Sequence, residues 1–229
     1  MARPSIKAVF EGLTTGAMLI ASVGVMAYLW QNRRPAGPPE GPLPKNPISL
    51  VGTAMEGNPA APMAVVVFSD FECPFCRSFG GTILPTLRSD YISTGRILVS
   101  FRHLPLPGHQ AARPAAQAAV CAHAQGRFWS LHDKFFADPV TLRAVDKAMG
   151  EIGGDMEAFA ACRSSEATAQ VVESDLELAK LLQIRGTPTF LAGTNDGGKA
   201  VNVTKRFTGA ASYESFVQQL GPVQDGPGR

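Results

Sequence analysis

The chain has 229 residues, and its 21 Lys and Arg against 19 Asp and Glu give a formal net charge of +2. Because 45% of the residues are hydrophobic and only 17% are charged, the composition excludes a disordered or fibrous chain and predicts one folded domain with an additional segment. The nearly neutral charge provides no basic field for nucleic acid binding, and four cysteines are too few for a disulfide-built miniprotein.

The first predicted element is the apolar segment 12–30, which contains no charged residue. Its 19 residues approach the roughly 20 that a helix needs to cross a bilayer, and Tyr28 and Trp30 lie at its end, where the headgroup layer favours aromatic rings. We therefore expect one transmembrane helix within an N-terminal membrane anchor, 1–34. A cleaved signal peptide with a cleavage site at 25–27 is the alternative, although the apolar stretch is longer than a signal core.

Residues 35–47 hold six Pro and two Gly, a composition that favours extended polyproline conformations over helices and strands. This segment is predicted to be a stiff linker between the membrane and a folded domain. The folded domain is expected at 48–220, followed by a flexible tail at 221–229.

Strand and helix patterns alternate along the predicted domain. The run 64–68 is apolar and rich in β-branched residues, which is typical of a strand buried on both faces. The further predicted strands are 97–101, 189–191 and 201–207. The predicted helical segments are an Ala-rich block at 111–182, which contains helices at 128–136, 156–162 and 166–182, and a closing helix at 213–220. This order predicts an α/β fold in which a helical block is inserted into a sheet core.

The clearest predicted helix is 166–182, because its small and apolar residues recur at spacings of three and four and mark one buried face. These residues are Ala169, Val172, Leu176 and Ala179. Ser165 precedes them and is predicted to cap the helix with its hydroxyl group.

The motif Cys73-Pro74-Phe75-Cys76 follows the first long strand. Proline suits the first position of a helix, so Cys73 is predicted to cap a helix that begins at Pro74. Unpaired amide groups and the helix dipole then favour the thiolate of Cys73 and lower its pKa. Cys76 lies one turn later, close enough to form a disulfide. Such a pair can exchange with substrate thiols through a mixed disulfide.

Three other interpretations of this motif remain open. It could be half of a zinc site, but the chain has no second CxxC to complete one. It could be an inert structural disulfide, or a copper site with His103 or His109 as a further ligand. We favour redox exchange, and we predict neither a metal nor a cofactor.

A second motif, Gly186-Thr187-Pro188-Thr189-Phe190, lies at the start of a predicted strand, and X-Pro at such a turn can be cis. Together with the cysteine motif, it makes the sequence resemble the DsbA-like thiol-disulfide oxidoreductases. Further stretches that carry the resemblance are 57–62, 101–105 and 121–129. The resemblance covers about 48–220.

The resemblance implies a thioredoxin-like fold with a helical insertion at about 105–182, working outside the cytoplasm. By position, Cys73 would be the exposed nucleophile, Cys76 its buried partner and Pro188 the cis-proline beside them. Thr187 would offer its backbone to an extended substrate. The residues expected to contact substrate are Thr187, Pro74 and Phe75.

The sequence departs from the family pattern at two positions. Val67 stands where related families carry a buried acid for proton transfer, and Phe75 stands where strong oxidants have His. Asp70 or Glu72 could relay protons instead, but both are equally well interpreted as solvated loop acids. We therefore expect an oxidant of intermediate strength.

Cys121 and Cys162 lie on predicted helices of the insertion. They could be two buried free thiols, which are common in protein cores. In an oxidising compartment, we predict instead that they form a structural disulfide. The remaining polar or aromatic candidates are predicted to serve packing or to lie at the surface, namely His103, His109, His123, His132, Arg102 and Phe71.

The predicted function is that of a membrane-anchored protein-disulfide oxidoreductase in the periplasm or another extracytoplasmic space. It would oxidise cysteine pairs in exported polypeptides and be reoxidised by a membrane-embedded, quinone-linked partner, as the resemblance implies. A reductase or isomerase of the same fold is the alternative, because the direction depends on the redox potential. A non-catalytic metal-binding or adhesion module of thioredoxin fold is a further alternative.

Overall fold

The computed structural model describes residues 41–209 and 211–226. The predicted transmembrane segment, 12–30, lies outside these residues. Within the described ranges, none of the helices is long and apolar enough to cross a membrane.

A mixed sheet of six strands forms the centre of the described domain. The strands are β1 (Ile48–Ser49), β2 (Ala54–Glu56), β3 (Met63–Ser69), β4 (Ile97–His103), β5 (Thr189–Asp196) and β6 (Ala200–Thr208). Their order across the sheet is β1-β6-β5-β3-β4-β2. Strands β3 and β4 are parallel, and the other neighbours are antiparallel. The short strands β1 and β2 were not predicted, since two or three residues show no periodicity.

Strand β3 lies between β4 and β5, with Val66 opposite Ser100 on one side and Leu191 on the other. Alternate residues of the strand lie in two different hydrophobic clusters. Val65 and Val67 belong to one cluster, and Val66 belongs to the other. The prediction of a strand buried on both faces is therefore confirmed. The carboxyl end of this strand leads directly into the cysteine motif.

The helical elements follow the same order as predicted. After β3, a continuous helical stretch comprises α1 (Pro74–Ser78), a π-helical turn (Phe79–Ile83), α2 (Leu84–Leu87) and a second π-helical turn (Arg88–Ile92). The insertion between β4 and β5 consists of α3 (Ala112–Ala124), α4 (Phe128–Ala137), α5 (Leu142–Glu151), α6 (Met156–Arg163) and α7 (Glu166–Leu181). The helix α8 (Tyr213–Leu220) follows the last strand. The predicted sheet core with a helical insertion is confirmed.

Helix α5 was not predicted as a separate helix, although its sequence carries a signal. Val145, Ala148 and Met149 are buried at spacings of three and one, and Thr141 accepts a hydrogen bond from the Ala144 amide at the helix start. Both features are typical of a short amphipathic helix with a cap.

Helix α7 has the predicted cap and the predicted buried face. The Ser165 hydroxyl accepts from the Ala167 amide, and Val172 and Ala179 are buried. Asp175 is also buried on this helix, where it accepts from Arg102 at 2.7 Å and from the His103 amide at 2.8 Å. Arg102 therefore serves packing, because it joins α7 to the end of β4.

Phe71 connects the loop before the cysteine motif to the insertion. Its ring centroid lies 5.3 Å from that of Phe101 in β4, and 5.2 Å from those of Phe135 and Phe136 in α4. Such aromatic packing fixes the position of the loop relative to both parts of the core.

A disulfide joins Cys121 in α3 to Cys162 in α6, with the Cα atoms 5.8 Å apart. The bond closes a sequence separation of 41 residues within the insertion. Within the described part of the predicted tail, 221–226, the Val223 carbonyl accepts a hydrogen bond from Arg96 and the Val223 side chain packs against the hydrophobic core.

Candidate active site

The cysteine motif begins a helix as its sequence predicted. Cys73 is the N-cap residue with extended backbone angles, and Pro74 occupies the first turn of α1. The Arg77 amide donates to the Cys73 carbonyl at 3.0 Å, which closes the first helical turn. The sulfur of Cys73 therefore lies at the positive end of the helix dipole.

The two sulfurs are free thiols in this structure, and they differ in accessibility. Cys73 is 4% exposed and Cys76 is 0% exposed, so Cys73 is the more accessible of the two although most of it is covered. The neighbouring Phe75 is 65% exposed and forms an apolar surface beside the motif.

The loop with the second motif lies against Cys73. The Thr187–Pro188 peptide bond is cis, and Cys73 Sγ lies 3.5 Å from the Thr187 carbonyl oxygen. The Pro188 carbonyl accepts from the Gly209 amide at 2.9 Å, which holds the loop at the edge of the sheet. The structure thus brings together the two motifs, which lie 114 residues apart in the sequence.

The surroundings separate the pKa values of the two thiols. A hydrogen bond with Cys76 is the largest cause that lowers the pKa of Cys73 to about 5, against the opposing effect of burial. Thr187 and the backbone amides of Cys76 and Phe75 lower it further. Burial raises the pKa of Cys76 well above its ordinary range, and the nearby Cys73 adds to that shift. Cys73 is therefore the thiolate and Cys76 the protonated thiol of the reduced pair.

A buried acid is present in the site, but not at the position where the family pattern has one. Val67 is buried within strand β3 opposite Phe101 and Phe190, where it can exchange no proton. The buried carboxylate belongs to Asp70, whose side chain is 0% exposed. The alternative interpretation of Asp70 as a solvated loop acid is wrong, because the loop at 104–111 covers it.

The Asp70 carboxylate accepts hydrogen bonds from the Glu72 amide, the Leu106 amide and His109 Nδ1, at 2.7, 2.8 and 2.7 Å. Glu72 in turn accepts from the Ala111 amide at 2.8 Å. The prediction that His109 serves packing or lies at the surface missed its contact with Asp70. No sequence pattern links these two residues, because their contact depends on how two loops pack.

The other three histidines lie in the core or at the surface. Burial lowers the pKa of His103 to about 4 and also lowers that of His132, so both are neutral core residues. His123 is exposed on α3 and packs against the edge of Phe128. In residues 41–209 and 211–226, no three His, Cys, Asp or Glu side chains form a cluster suited to a metal ion.

The sequence model of the family described as Thioredoxin matches residues 49–208. The chain belongs to the thioredoxin family. Disulfide bond formation protein D of Bacillus subtilis is 30% identical to it over 154 residues, which cover 62% of this chain and 68% of that protein. Within the family, the chain is a member of the DsbA-like thiol-disulfide oxidoreductases, as its motifs predicted.

Solved structures share the fold. Alpha-DsbA1 of Wolbachia pipientis superposes with a TM-score of 0.64 at 23% identity, covering 74% of this chain and 89% of that one. BdbD from Bacillus subtilis in its oxidised form gives a TM-score of 0.61 at 24% identity, covering 77% and 97%.

Some longer relatives match this chain over only part of their length. The Na(+)/H(+) antiporter NhaA 3 of Salinispora tropica is 34% identical over 139 residues, which are 59% of this chain and 21% of the antiporter. The match with this chain therefore spans about a fifth of the length of that relative.

Proposed function

We propose that the protein oxidises cysteine pairs in exported polypeptides through the Cys73/Cys76 dithiol and disulfide. The observation that carries this proposal is the contrast between the two sulfurs at one helix start. Cys73 has a pKa of about 5 and is the more accessible of the two sulfurs at 4% exposed, whereas Cys76 is fully buried and has a raised pKa. The Cys73 sulfur is thus suited to exchange with a substrate, and the Cys76 sulfur is suited to remain buried in the protein.

The proposed reaction begins with the oxidised pair. A substrate thiolate attacks Cys73 Sγ, the Cys73–Cys76 bond breaks, and Cys76 leaves with the electron pair and takes a proton. A second substrate thiolate then attacks the substrate sulfur of the mixed disulfide, and Cys73 leaves as a thiolate. The substrate gains a disulfide and loses two electrons, which the enzyme pair receives.

The second step favours the oxidising direction when Cys73 is a good leaving group. A low pKa stabilises the reduced enzyme, which makes its disulfide easier to reduce and hence a better oxidant. Burial of Cys76 keeps the second sulfur from competing for the substrate. A reductase or isomerase with the same residues is the alternative, and the redox potential distinguishes them.

The substrate would lie over the exposed surface formed by Pro74 and Phe75 and against the loop at Thr187. Thr187 precedes β5 at the edge of the motif, so its backbone can pair with an extended polypeptide. Phe75 supplies apolar contact area next to the reacting sulfur. These contacts require no particular side chain and therefore fit an enzyme with many substrates.

The location that fits this chemistry is outside the cytoplasm. The Cys121–Cys162 disulfide supports an oxidising compartment, since structural disulfides rarely persist in the cytosol. In this proposal, segment 12–30 is a transmembrane helix and 35–47 is the linker that holds the domain 48–220 in the periplasm or an equivalent space. A membrane-embedded, quinone-linked partner would reoxidise the cysteine pair.

The proposal is tested with the oxidised protein and a reduced peptide that contains two cysteines. We expect the peptide to lose two thiols for each pair of thiols that appears in the protein. Cys73→Ser should abolish the reaction. Cys76→Ala should accumulate a mixed disulfide when a single-cysteine peptide is supplied as its disulfide with glutathione, because the Cys73 thiolate attacks the peptide sulfur and the glutathione thiolate leaves. Cys121→Ala/Cys162→Ala is the matched control and should keep the activity.

Equilibration with glutathione buffers tests the direction. We expect a potential between the roughly −270 mV of thioredoxin and the roughly −120 mV of the strongest DsbA-type oxidant. A value at or below that of thioredoxin would assign the protein to the reductases instead.

A further inference from the structure

Asp70 connects the cysteine motif to the loop at 104–111. Its carboxylate is buried, and its two oxygens accept from the Glu72 amide, the Leu106 amide and His109 Nδ1. Two of these three donors come from the covering loop. The carboxylate therefore determines where that loop places the ring of His109.

The backbone of Asp70 also borders both cysteines. Its amide donates to Cys76 Sγ at 3.5 Å, and its carbonyl accepts from the Cys73 amide at 3.2 Å. Asp70 therefore holds the cysteine pair through its backbone and His109 through its side chain. A single residue thus contacts both the cysteine pair and His109.

Asp70 is the acidic group in contact with the ring of His109. The His109 side chain is 29% exposed, and Nδ1 lies 2.7 Å from Asp70 Oδ2. The charged groups that act on the ring are Asp70, Glu72 and Cys73, and each of them favours the imidazolium. The hydrogen bond to Asp70 is the largest cause that raises the pKa of His109, while burial opposes it.

We propose that His109, oriented by Asp70, is a positioning residue whose positive charge stabilises the Cys73 thiolate. Its role in turnover rests on the proposed oxidase function. The histidine that strong oxidants carry inside the motif is Phe75 here, and His109 supplies a cation from a neighbouring loop instead.

The charge acts in the second step of the proposed reaction. When the substrate disulfide forms, the bond from the substrate sulfur to Cys73 breaks and Cys73 Sγ keeps the electron pair. A nearby imidazolium lowers the free energy of this leaving thiolate. The step transfers no proton to or from His109, so the ring acts by its charge and its position.

A purely structural role for His109 would need only the hydrogen bond to Asp70. His109→Asn separates the two roles, because the Asn side chain can still donate to the carboxylate but carries no charge. His123→Asn is the matched control, since His123 is exposed on α3. Both variants are compared with the wild type as reduced, full-length protein.

The first measurement is the pKa of Cys73, obtained from the iodoacetamide reaction rate between pH 3 and 9. We expect His109→Asn to raise this pKa by about 0.5–1 unit, which lowers the ratio of thiolate to thiol about three- to tenfold on the acid side. His123→Asn should leave the pKa unchanged. The equilibrium constant with glutathione should shift by a similar factor toward a weaker oxidant.

The second measurement is the pKa of His109 itself, followed by NMR in the wild type. Because the interaction is mutual, oxidation of the cysteine pair removes the thiolate and should lower the pKa of His109. Unchanged values in both experiments would overturn the inference, even if His109→Asn were less stable. Neither titration requires a substrate, so loss of peptide oxidation alone would contradict the proposed function and leave this inference intact.

Discussion

The protein contains two cysteine pairs in two different settings. Cys73 and Cys76 are separated by two residues and lie at the first turn of a helix, where backbone amides face the first sulfur. Cys121 and Cys162 are 41 residues apart, inside α3 and near the end of α6. The first pair is reduced in the structure and the second is a disulfide.

The difference shows that position along a helix matters more than the presence of two nearby sulfurs. At a helix start, unpaired amides and the dipole stabilise a thiolate, so the pair can exchange. Within α3 and at the end of α6, the amides are already bonded and the dipole opposes a thiolate. Closing a long loop also constrains the unfolded chain far more than closing a ring over two residues.

The largest expected contrast is in the reactivity of the reduced motif. At pH 7, iodoacetamide should modify Cys73 at least about 100-fold faster than Cys76, because only Cys73 has a pKa below neutrality. Peptide mapping by mass spectrometry would measure both rates after mild reduction with glutathione. Faster labelling of Cys76 would reverse the assigned roles.

Removal of the second pair should affect stability and leave chemistry largely unchanged. Cys121→Ala/Cys162→Ala should lower the free energy of unfolding by up to about 4 kcal/mol, as expected for a loop of this length. Urea denaturation followed by circular dichroism measures this effect, and the peptide oxidation rate provides the control. Free thiols at both positions in protein from an oxidising compartment would contradict the structural role.

The reduced protein should become more stable as the pH rises from about 5. Since folding lowers the pKa of Cys73 to about 5, the unfolded chain binds more protons between that pH and about 8.5. The stabilisation is present at high pH and is lost as the pH falls toward 5.

Urea unfolding at pH 5 and pH 7 tests this dependence. The difference between the reduced wild type and reduced Cys73→Ser should grow by roughly 2 kcal/mol over that interval. Comparison with the Ser variant cancels the titration of other groups. A difference that does not change with pH would show that Cys73 is not a stabilised thiolate.

The smallest expected effect concerns Phe75. Phe75→His should raise the redox potential, because a protonated ring two residues from Cys73 favours its thiolate. We expect less than about 30 mV, a tenfold change in the equilibrium constant, since in our proposal His109 already provides a cation. Equilibration of both proteins with glutathione measures the shift. An equal potential in the two proteins would show that a His at position 75 does not stabilise the Cys73 thiolate.

Much of the fold was predictable because its signals are local. The apolar runs of β3 and β4, the Ser165 cap and the buried face of α7 appear as patterns over a few residues. The boundaries of α7 differ from the prediction only at its last residue. The short strands β1 and β2 could not be predicted, because they are defined by pairing with β6 and β4.

Part of the site was also predictable, because the cysteine motif is a local signal. The CPFC motif itself specifies a helix start, and the family resemblance pointed to Pro188 and Thr187. The interpretation of Asp70 stayed open between a proton relay and a solvated loop acid, and Asp175 was missed, since nothing in their local sequence distinguishes them from solvated acids. Both are buried because distant segments cover them and donate hydrogen bonds.

The sequence by itself determined the redox motif, the helix that presents it and the family to which the chain belongs. Proline geometry, capping and hydrophobic periodicity act between near neighbours, so they are visible without a structure. Only the tertiary structure decided that Thr187 contacts Cys73 across 114 residues and that His109 meets Asp70 across 39. Such contacts depend on directional hydrogen bonds between packed loops, and a linear pattern of residue types does not specify them.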